Sequence, residues 1–355
     1  MDESQRISGR IGIEIGGTER ERLREREAVC SRPPQNRWGV VLAGGDGVRL
    51  RSLTRLICGD DRPKQFCALV GECSLLDQTR QRAERSIRGD QILYSLTRAH
   101  QDYYQIDLAD RASQRIVQPC NRGTAPAIVY TLLHIFQMDP DAMVAVLPCD
   151  HHYSPEWRFT TALEQAFAVA GARPDSVVLL GARPEGPEVE YGWIELGETV
   201  GDLTADVFRV RRFQEKPSVS VAERLFNDGS LWNTFIMVGH VKAFLELALE
   251  SLPRLVEALR ATETHLVVDR ETRISDGLYN RIPATDFSRQ ILAPGAARLI
   301  ALELGALEWN DLGHPERVIS TLAKQDVRLP AWAQSWQEAR IMESNLIRLA
   351  ASVGE

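Results

Sequence analysis

The sequence predicts an α/β fold in which a mostly parallel sheet carries helices on both faces. Two observations lead to this prediction: several apolar runs have the length of strands, and helical patterns lie between them along the chain. Strands that alternate with helices are typical of a parallel sheet covered on both sides. Strands are predicted at residues 40–43, 91–96, 143–147 and 176–181, and helices at residues 75–85 and 124–136.

Length and composition limit the classes of protein that fit. A chain of 355 residues with 44% hydrophobic residues can bury a full core. Its formal net charge of −7 offers no general attraction for nucleic acid, so anions must be bound by local groups. No apolar stretch has the length of a membrane span, and the N-terminus lacks a signal peptide's apolar core. Six cysteines without a Cys-x-x-Cys pair favour a reducing compartment, so we expect a cytoplasmic protein that binds neither nucleic acid nor membrane.

Three regions are predicted along the chain. Residues 1–36 contain a mixed-charge run and a proline pair, and we expect a charged, disordered extension there. Residues 37–314 are expected to form the main domain, followed by a small C-terminal helical appendage at residues 315–355. Helical patterns at residues 315–324 and 331–351 carry apolar faces, which are expected to pack on the core or on another subunit. The sequence therefore leaves open whether the protein forms a homodimer.

The first strand ends in a glycine-rich turn with the features of a phosphate site. Gly44, Gly45 and Gly47 allow positive φ and let the backbone approach an anion without a clash of Cβ atoms. Glycines before the start of a helix also aim free N–H groups at a polyphosphate. Arg49 and Lys64 add fixed positive charge. The spacing fits neither the P-loop nor the dinucleotide-binding fingerprint, because the lysine comes late and follows a proline.

This turn, together with the later Pro-Lys-Gln-Phe at residues 63–66, resembles the signature of sugar-1-phosphate nucleotidyltransferases, and most closely that of mannose-1-phosphate guanylyltransferases. The resemblance implies the Rossmann-like fold of nucleotide-diphospho-sugar transferases. Val48 departs from the pattern, since the family usually has a hydroxyl residue there. By this resemblance, the nucleotide-binding turn consists of Leu42, Ala43, Gly44, Gly45 and Gly47.

Residues 118–127 resemble the base-binding loop of the same family, with Gly123 in place of the family's asparagine. The predicted nucleotide-binding residues of this loop are Gln118, Pro119, Gly123 and Thr124. A purine edge needs a donor and an acceptor close to the backbone, which the Gln118 amide and an exposed N–H of Gly123 would supply. Thr124 also suits the N-cap of a helix that has proline in its first turn.

A buried-strand pattern at residues 143–148 ends in Cys149-Asp150-His151-His152, which resembles the family's Leu-Pro-Ser-Asp-His. Open α/β sheets bind ligands at the carboxyl ends of their strands. The resemblance implies that Asp150 holds a catalytic Mg²⁺, and that Asp311, in a segment similar to Trp-x-Asp-Val-Gly, completes the metal site. Cys149 is expected to serve packing. The two histidines lack a third zinc ligand at a recognisable spacing.

Three further segments resemble the family's sugar-phosphate side. They contain Gly192, the pair Glu215-Lys216, and Asn233. Glu215 can accept hydrogen bonds from sugar hydroxyls, and Lys216 suits a monoester phosphate as a mobile point charge. Gly192 would let the sugar ring lie against the backbone, and the resemblance implies that Asn233 contacts the sugar. The match is weakest at residues 285–287.

The resemblance implies an enzyme that makes GDP-mannose and pyrophosphate from GTP and mannose-1-phosphate with Mg²⁺. The sugar phosphate would attack the α-phosphorus in line, and catalysis would rest on positioning and electrostatics. The predicted catalytic residues are Arg49, Lys64, Asp150 and Lys216. Two alternatives stay open: a uridylyl- or thymidylyltransferase acting on glucose-1-phosphate, and a catalytically weak paralogue that binds sugar nucleotides and regulates a partner.

Overall fold

A mixed sheet of eleven strands runs through the computed structural model, which describes residues 33–109, 114–201, 206–261, 266–268, 271–325 and 329–336. These residues belong to one compact unit, Pro33–Glu355. The predicted extension, residues 1–36, lies outside the described residues except for its last four. Within the part of the chain that the structure describes, no helix combines the length and the apolar character that crossing a membrane requires.

The strands are β1 (Arg37–Leu42), β2 (Ile92–Thr97), β3 (Gln114–Gln118), β4 (Met143–Pro148), β5 (His152–Ser154), β6 (Val177–Ala182), β7 (Gly192–Thr199), β8 (Val207–Glu215), β9 (Leu231–His240), β10 (Leu266–Val268), β11 (Glu271–Arg273), β12 (Leu299–Glu303) and β13 (Glu308–Asn310). The α-helices are α1 (Arg51–Cys58), α2 (Leu75–Ala83), α3 (Gln101–Asp107), α4 (Thr124–Met138), α5 (Glu156–Ala172), α6 (Val219–Asn227), α7 (Val241–Ser251), α8 (Pro253–Arg260), α9 (Asp276–Tyr279) and α10 (Pro315–Lys324). Short 3₁₀ turns occur at Val48–Leu50, Lys64–Phe66, Gly89–Gln91, Arg98–His100 and Ala296–Arg298, and a π turn occurs at Ser288–Leu292.

The α/β class is confirmed, and the four predicted strands and two predicted helices are present as β1, β2, β4, β6, α2 and α4. The strand order is β10-β11-β3-β2-β1-β4-β9-β6-β12-β8-β7. From β11 to β4 neighbouring strands are parallel, whereas β9 runs antiparallel to both β4 and β6, and β7 pairs antiparallel with β8. Strand β12 is parallel to β6 and antiparallel to β8, so five of the ten neighbouring pairs among the described strands are parallel and the sheet is mixed rather than mostly parallel. Only residues 200–206 connect β7 to β8, and so short a connection joins antiparallel neighbours.

Two apolar cores lie on opposite faces of the sheet. Val41 of β1 packs in the core that includes side chains of α2 and α5, whereas its neighbour Val40 packs in the core that includes side chains of α4, α7 and α8. Consecutive residues of a strand point to opposite faces, so one strand serves both cores. This confirms the prediction of helices on both faces.

The C-terminal helix α10 has the predicted bounds and packs on the body of the protein. Its Val318 and Leu322 share an apolar cluster with Leu50 and Leu53, which come directly after the glycine-rich turn. The second predicted helix, residues 331–351, is helical over residues 331–336, and its remainder lies outside the described residues. Helix α10 therefore stands beside the predicted phosphate site.

Candidate active site

A cleft of about 430 Å³ opens where β1, β3 and β4 end, and Leu42, Gln118 and Pro148 are part of its wall. The strand pairs β7–β8 and β7–β9 bring Gly192 and Glu215 to its other side. The predicted site residues that line the cleft are Leu42, Gly44, Gly45, Arg49, Gln118, Gly123, Thr124, Asp150, Gly192, Glu215, Lys216, Asn233 and Asp311.

Four predicted residues lie next to the cleft rather than in its lining: Ala43, Gly47, Lys64 and Pro119. Ala43 is buried in the core. Gly47 has φ of 57°, and a Cβ on it would lie 3.0 Å from the backbone nitrogen of Lys64, so this turn requires glycine. Lys64 is itself buried, with 8% of its surface exposed.

The carbonyl groups of the glycine-rich turn are held by two side chains from other segments. Gln65 Nε2 donates to Ala43 O (3.1 Å) and to Gly45 O (2.8 Å), and Thr97 Oγ1 donates to Gly44 O (3.0 Å). These bonds fix the peptide groups of the turn, and Gly44 and Gly45 line the cleft. A ligand in the cleft can therefore approach this backbone without meeting a side chain. The sequence did not reveal the role of either side chain.

The predicted base-reading groups are engaged within the protein. Gln118 Nε2 donates to Ser95 Oγ (3.0 Å) and Leu96 O (3.3 Å), and its Oε1 accepts from the Tyr279 hydroxyl. The Gly123 N–H was predicted to be exposed and available to a base, but it already donates to Asn121 Oδ1 (2.9 Å). Gln118 thus ties the ends of β2 and β3 to Tyr279.

Gly123 is glycine for a structural reason. Its φ is 83°, and a Cβ at this position would overlap the carbonyl oxygen of Thr285. The prediction that Thr124 is an N-cap is wrong: the cap position is Gly123, and Thr124 Oγ1 instead accepts from Phe287 N (2.8 Å). The loop and the 285–287 segment are further joined by the bond from Ala125 N to Thr285 O (3.0 Å). The segment with the weakest family match therefore supports the predicted base-binding loop.

The two predicted metal ligands come together because β5 pairs with β13, with His152 opposite Asn310. Asp311 directly follows Asn310, and Asp150 lies two residues before His152. Lys64 lies between the two segments: its Nζ is 3.3 Å from Asp150 Oδ2 and donates to Asp311 O (2.6 Å) and Leu312 O (3.3 Å). The side chain of Lys64 therefore lies between the loops that carry Asp150 and Asp311.

Asp311 is oriented by three protein donors at one oxygen. Its Oδ1 accepts from the Tyr191 hydroxyl (3.0 Å), Gly313 N (2.9 Å) and Arg317 Nη1 (2.7 Å). Burial works to raise the pKa of Asp311, but His151, Arg317 and Lys64 outweigh it and lower that pKa to about 2. The side chain is thus a carboxylate, and its hydrogen bonds to described residues leave Oδ2 for a cation. Arg317 carries no motif signal, and sequence reasoning missed it.

His151 lies beside the other carboxylate. Trp309 Nε1 lies 3.2 Å from His151 Nδ1, which puts the ring proton on Nε2, 3.6 Å from Asp150 Oδ1. Burial lowers the pKa of His151 below its ordinary value. Among the residues that the structure describes, no three or more His, Cys, Asp or Glu side chains are grouped to hold a metal ion. Two carboxylates fit Mg²⁺, which prefers few protein ligands and takes phosphate oxygens and water for the rest.

The sugar side of the cleft contains a close backbone contact and a buried carboxyl. Gly192 pairs with Glu215, and a Cβ on Gly192 would lie 2.7 Å from Glu215 Oε2. Burial, followed by the charge of Asp286, raises the pKa of Glu215 to about 7 although Lys216 opposes the shift. Lys216 itself has φ of 50°, an uncommon conformation for a residue with a side chain.

Two Trp-Asn turns end in the cleft and have the same local structure. Asn233 Oδ1 accepts from Phe235 N (3.2 Å), and Asn310 Oδ1 accepts from Leu312 N (2.8 Å). Phe235 and Leu312 have φ of 63° and 48°, so both turns hold strained backbone at the site. The tryptophans that precede them, with Tyr191 packed against both, form one aromatic cluster: its ring centroids lie 5.0, 4.9 and 6.2 Å apart. The predicted Asn233 is positioned by this arrangement.

Cys149 lies beside Asp150 but is not suited to attack a substrate. It is 1% exposed, and burial, with the charge of Asp150 adding to it, raises the pKa of its thiol well above the usual value. A protonated, enclosed thiol is a poor nucleophile. The packing role predicted for this residue agrees with its surroundings.

Comparison with known proteins identifies a family and several relatives of this chain. Residues 38–326 match the family described as nucleotidyl transferase. Mannose-1-phosphate guanylyltransferase of Escherichia coli is 28% identical over 285 residues, which is 77% of this chain and 59% of that protein. Xanthan biosynthesis protein XanB of Xanthomonas campestris is 29% identical over 281 residues, 77% of this chain and 57% of that protein. The chain thus matches less than two thirds of the length of these curated relatives.

Solved structures give the same picture of the fold. A Thermus thermophilus protein described as mannose-1-phosphate geranyltransferase has a TM-score of 0.68 at 27% identity, covering 81% of this chain and 80% of its own. A Helicobacter pylori protein described as mannose-6-phosphate isomerase has a TM-score of 0.63 at 19% identity, covering 78% of this chain and 99% of its own. The second likeness concerns the fold alone.

Proposed function

We propose that this chain, which belongs to the nucleotidyl transferase family, makes GDP-mannose and pyrophosphate from GTP and mannose-1-phosphate. One observation carries the proposal: a single cleft is lined by Gly44 and Gly45 of the glycine-rich turn, by Asp150 and Asp311, and by Gly192, Glu215 and Asn233. Relatives named mannose-1-phosphate guanylyltransferase, at 27–28% identity, support the choice of base and sugar.

The reaction needs no protein nucleophile. An oxygen of the sugar phosphate attacks the α-phosphorus of the triphosphate, one P–O bond forms, and the bond to the β-phosphate breaks as pyrophosphate leaves. The N–H groups at Gly44 and Gly45, together with Arg49, hold the triphosphate, and Lys216 holds the attacking monoester. Catalysis is then mainly alignment of two anions and stabilisation of charge at the α-phosphate. The buried, protonated state of Cys149 supports direct transfer.

Asp150 and Asp311 would hold a Mg²⁺ ion. When bound, the ion supplies positive charge that lowers the repulsion between the two phosphate groups. The protein's own part is to position both carboxylates: Lys64 Nζ lies 3.3 Å from Asp150 Oδ2, and Tyr191, Gly313 and Arg317 donate to Asp311 Oδ1. Lys64 adds positive charge between the two loops.

Glu215 and Asn233 face the sugar in this proposal. The bond from Phe235 N occupies Asn233 Oδ1, so the amide NH₂ of Asn233 is the group offered to a sugar hydroxyl. Ionised Glu215 accepts hydrogen bonds from hydroxyls, and with a pKa of about 7 it is half ionised near neutrality. A hydroxylated ring fits the donor and acceptor groups on this side.

The choice of base is open to a direct test, because Gln118 and Gly123 already have protein partners. We would measure pyrophosphate release with Mg²⁺ for GTP, UTP, dTTP and ATP, each with mannose-1-phosphate and with glucose-1-phosphate. The Asp150→Asn variant tests the site, and Asp141→Asn is the matched control, since Asp141 pairs with Lys242 at the surface.

Release with GTP and mannose-1-phosphate alone, lost in Asp150→Asn and kept in Asp141→Asn, is the expected result. A preference for UTP or dTTP with glucose-1-phosphate would contradict the proposed substrates but agree with the proposed mechanism. Folded protein that binds a nucleotide without releasing pyrophosphate would contradict the enzyme and leave the regulatory alternative.

A further inference from the structure

A carboxylate lies among basic side chains at one end of the cleft. Glu190, which also lines the cleft, directs one oxygen, Oε2, at three side chains. Arg49 Nη1 lies 3.1 Å from this oxygen, His314 Nε2 2.5 Å, and Arg317 Nη2 3.6 Å. Arg49 follows the glycine turn, whereas His314 and Arg317 stand at the start of α10. Two separate segments of the chain thus supply the partners of a single carboxylate oxygen.

Glu190 is ionised in this arrangement. Burial works to raise its pKa, but His314, Arg49 and Arg317 together lower it below its ordinary value. A carboxylate oxygen that receives several cationic donors has the same role as a phosphate oxygen would have there. The cluster therefore behaves as an anion site that the protein fills with its own side chain.

The cluster is also accessible to a ligand. The Arg49 side chain is 52% exposed and that of Glu190 37%, so their ion pair can open without disturbing the core. Gly44 and Gly45 line the same cleft, and in the proposed function their N–H groups bind the triphosphate. A polyphosphate on this turn that pairs with Arg49 must therefore replace Glu190 as its partner.

We propose that Glu190 is a built-in competitor for the phosphate groups of the substrate and of pyrophosphate, and that Arg49, His314 and Arg317 form the site for which they compete. This inference rests on the proposed function, because it takes the triphosphate to bind at the glycine turn. In the unliganded protein Glu190 pairs with Arg49 and Arg317 and lies against His314. After transfer, its return to Arg49 weakens the hold on pyrophosphate and favours product release.

The test is the affinity of the full chain for inorganic pyrophosphate, measured by titration calorimetry without sugar phosphate or turnover. Glu190→Gln removes the competing charge and keeps the shape of the side chain. We expect pyrophosphate to bind about threefold to tenfold more tightly to this variant, as for a partly exposed charge pair. The gain should shrink at high salt, because exposed charges are screened.

Glu185→Gln is the matched control. Glu185 pairs with Lys324 at 3.1 Å, its side chain is 73% exposed, and it is not part of the cleft lining. Its change should leave pyrophosphate affinity within about twofold, as expected for a surface pair. His314→Gln should weaken binding, since it removes one member of the cation site. Thermal unfolding of each variant verifies that it is folded.

Unchanged or weaker binding in Glu190→Gln would overturn the inference, and weaker binding would make Glu190 a residue that positions Arg49. This failure is separable from failure of the proposed function. A wild-type chain that releases pyrophosphate in the substrate assay, with no gain in affinity on Glu190→Gln, refutes the inference alone. Tighter binding in a chain without turnover refutes the enzyme and keeps the anion site.

Discussion

Asp311 depends on a residue outside every recognised motif. Arg317 donates to Asp311 at 2.7 Å, pairs with Glu188 at 2.6 Å, and lies over the Tyr191 ring at 4.6 Å. It therefore fixes both the carboxylate and the tyrosine that shares it. Partners that orient a metal ligand are worth about 10- to 100-fold in metal affinity or activity.

Arg317→Gln should accordingly raise the Mg²⁺ concentration needed for half-maximal activity by about 10- to 100-fold. The physical reason is that Asp311 loses its strongest oriented donor and gains freedom to rotate. The measurement is initial rate against Mg²⁺ concentration, with Arg298→Gln as the control, because Arg298 pairs with Glu246 and Glu250 on the surface. Equal Mg²⁺ dependence in wild type and Arg317→Gln would contradict this role.

Glu215 should make stability fall as pH rises towards neutrality. Its pKa is raised from 4.5 to about 7 in the folded protein, so between these values the folded state keeps a proton that the unfolded chain has released. The stability present below pH 4.5 is thus lost as pH rises through about 7. The loss should be on the order of 1–3 kcal/mol in the free energy of unfolding.

Denaturant unfolding at several pH values checks this expectation. Glu215→Gln carries no titrating carboxyl and should show a flatter pH dependence than wild type over that window. Glu198→Gln, at the exposed end of β7, is the control and should behave as wild type does. Identical curves for wild type and Glu215→Gln would mean that the Glu215 carboxyl is solvated in the folded protein.

At the scale of elements, the glycines of the two nucleotide loops differ in what they do. Gly123 has positive φ and lies against Thr285, whereas a Cβ on Gly45 would have no atom within 4 Å. Gly123→Ala should lower the free energy of unfolding by about 2–4 kcal/mol, because strain and overlap add. Gly45→Ala should change it by less than about 1 kcal/mol.

The two variants should separate again in nucleotide binding. If Gly45 lets a phosphate approach the backbone, Gly45→Ala should weaken nucleotide binding by about tenfold with the fold intact. Urea unfolding and calorimetry on the same preparations give both numbers. A Gly45→Ala variant that binds nucleotide as wild type does would mean that no phosphate closely approaches the backbone at Gly45.

The sequence predicted the loops of the site better than their internal contacts. Strand ends, glycines and paired motif residues are local features, so Arg49, Asp150, Glu215 and Asn233 were predicted to share a site, and all four line the cleft. The partner of Gly123, the hydroxyl contact of Thr124 and the anchoring by Thr97 depend on segments far away in the chain. Local patterns hold no information about such contacts, which is why the N-cap prediction was wrong.

At the scale of the molecule, two groups of strands form opposite sides of the cleft. The parallel strands around β1, β3 and β4 carry the glycine turn, Gln118 and Asp150, and β7, β8 and β9, in which β7 pairs antiparallel with both others, carry Gly192, Glu215 and Asn233. Apolar periodicity predicted β1, β2, β4 and β6 and the helices on both faces. It did not predict the antiparallel pairing of β7, β8 and β9, because pairing direction there is set by connections rather than by residue type.

The net charge of −7 agrees with a site built from local cations. Four basic side chains, on loops and on α10, stand around the cleft: Arg49, Lys64, Lys216 and Arg317. Three of them were predicted from motifs. The fourth reaches the site because α10 packs on the turn and helix that follow the glycines, a tertiary contact that its amphipathic pattern predicted only as burial.

One cleft aligns a sugar phosphate for direct attack on a nucleotide α-phosphorus in the proposed reaction. The most direct measurement is the stereochemical course at that phosphorus, read by ³¹P NMR of the sugar nucleotide made from mannose-1-phosphate and a single diastereomer of GTP with sulfur at the α-phosphorus. A single in-line displacement predicts inversion, and no product with Asp311→Asn. Retention, which indicates a covalent guanylyl-enzyme, or no sugar nucleotide from GTP and folded wild-type protein, would contradict direct attack.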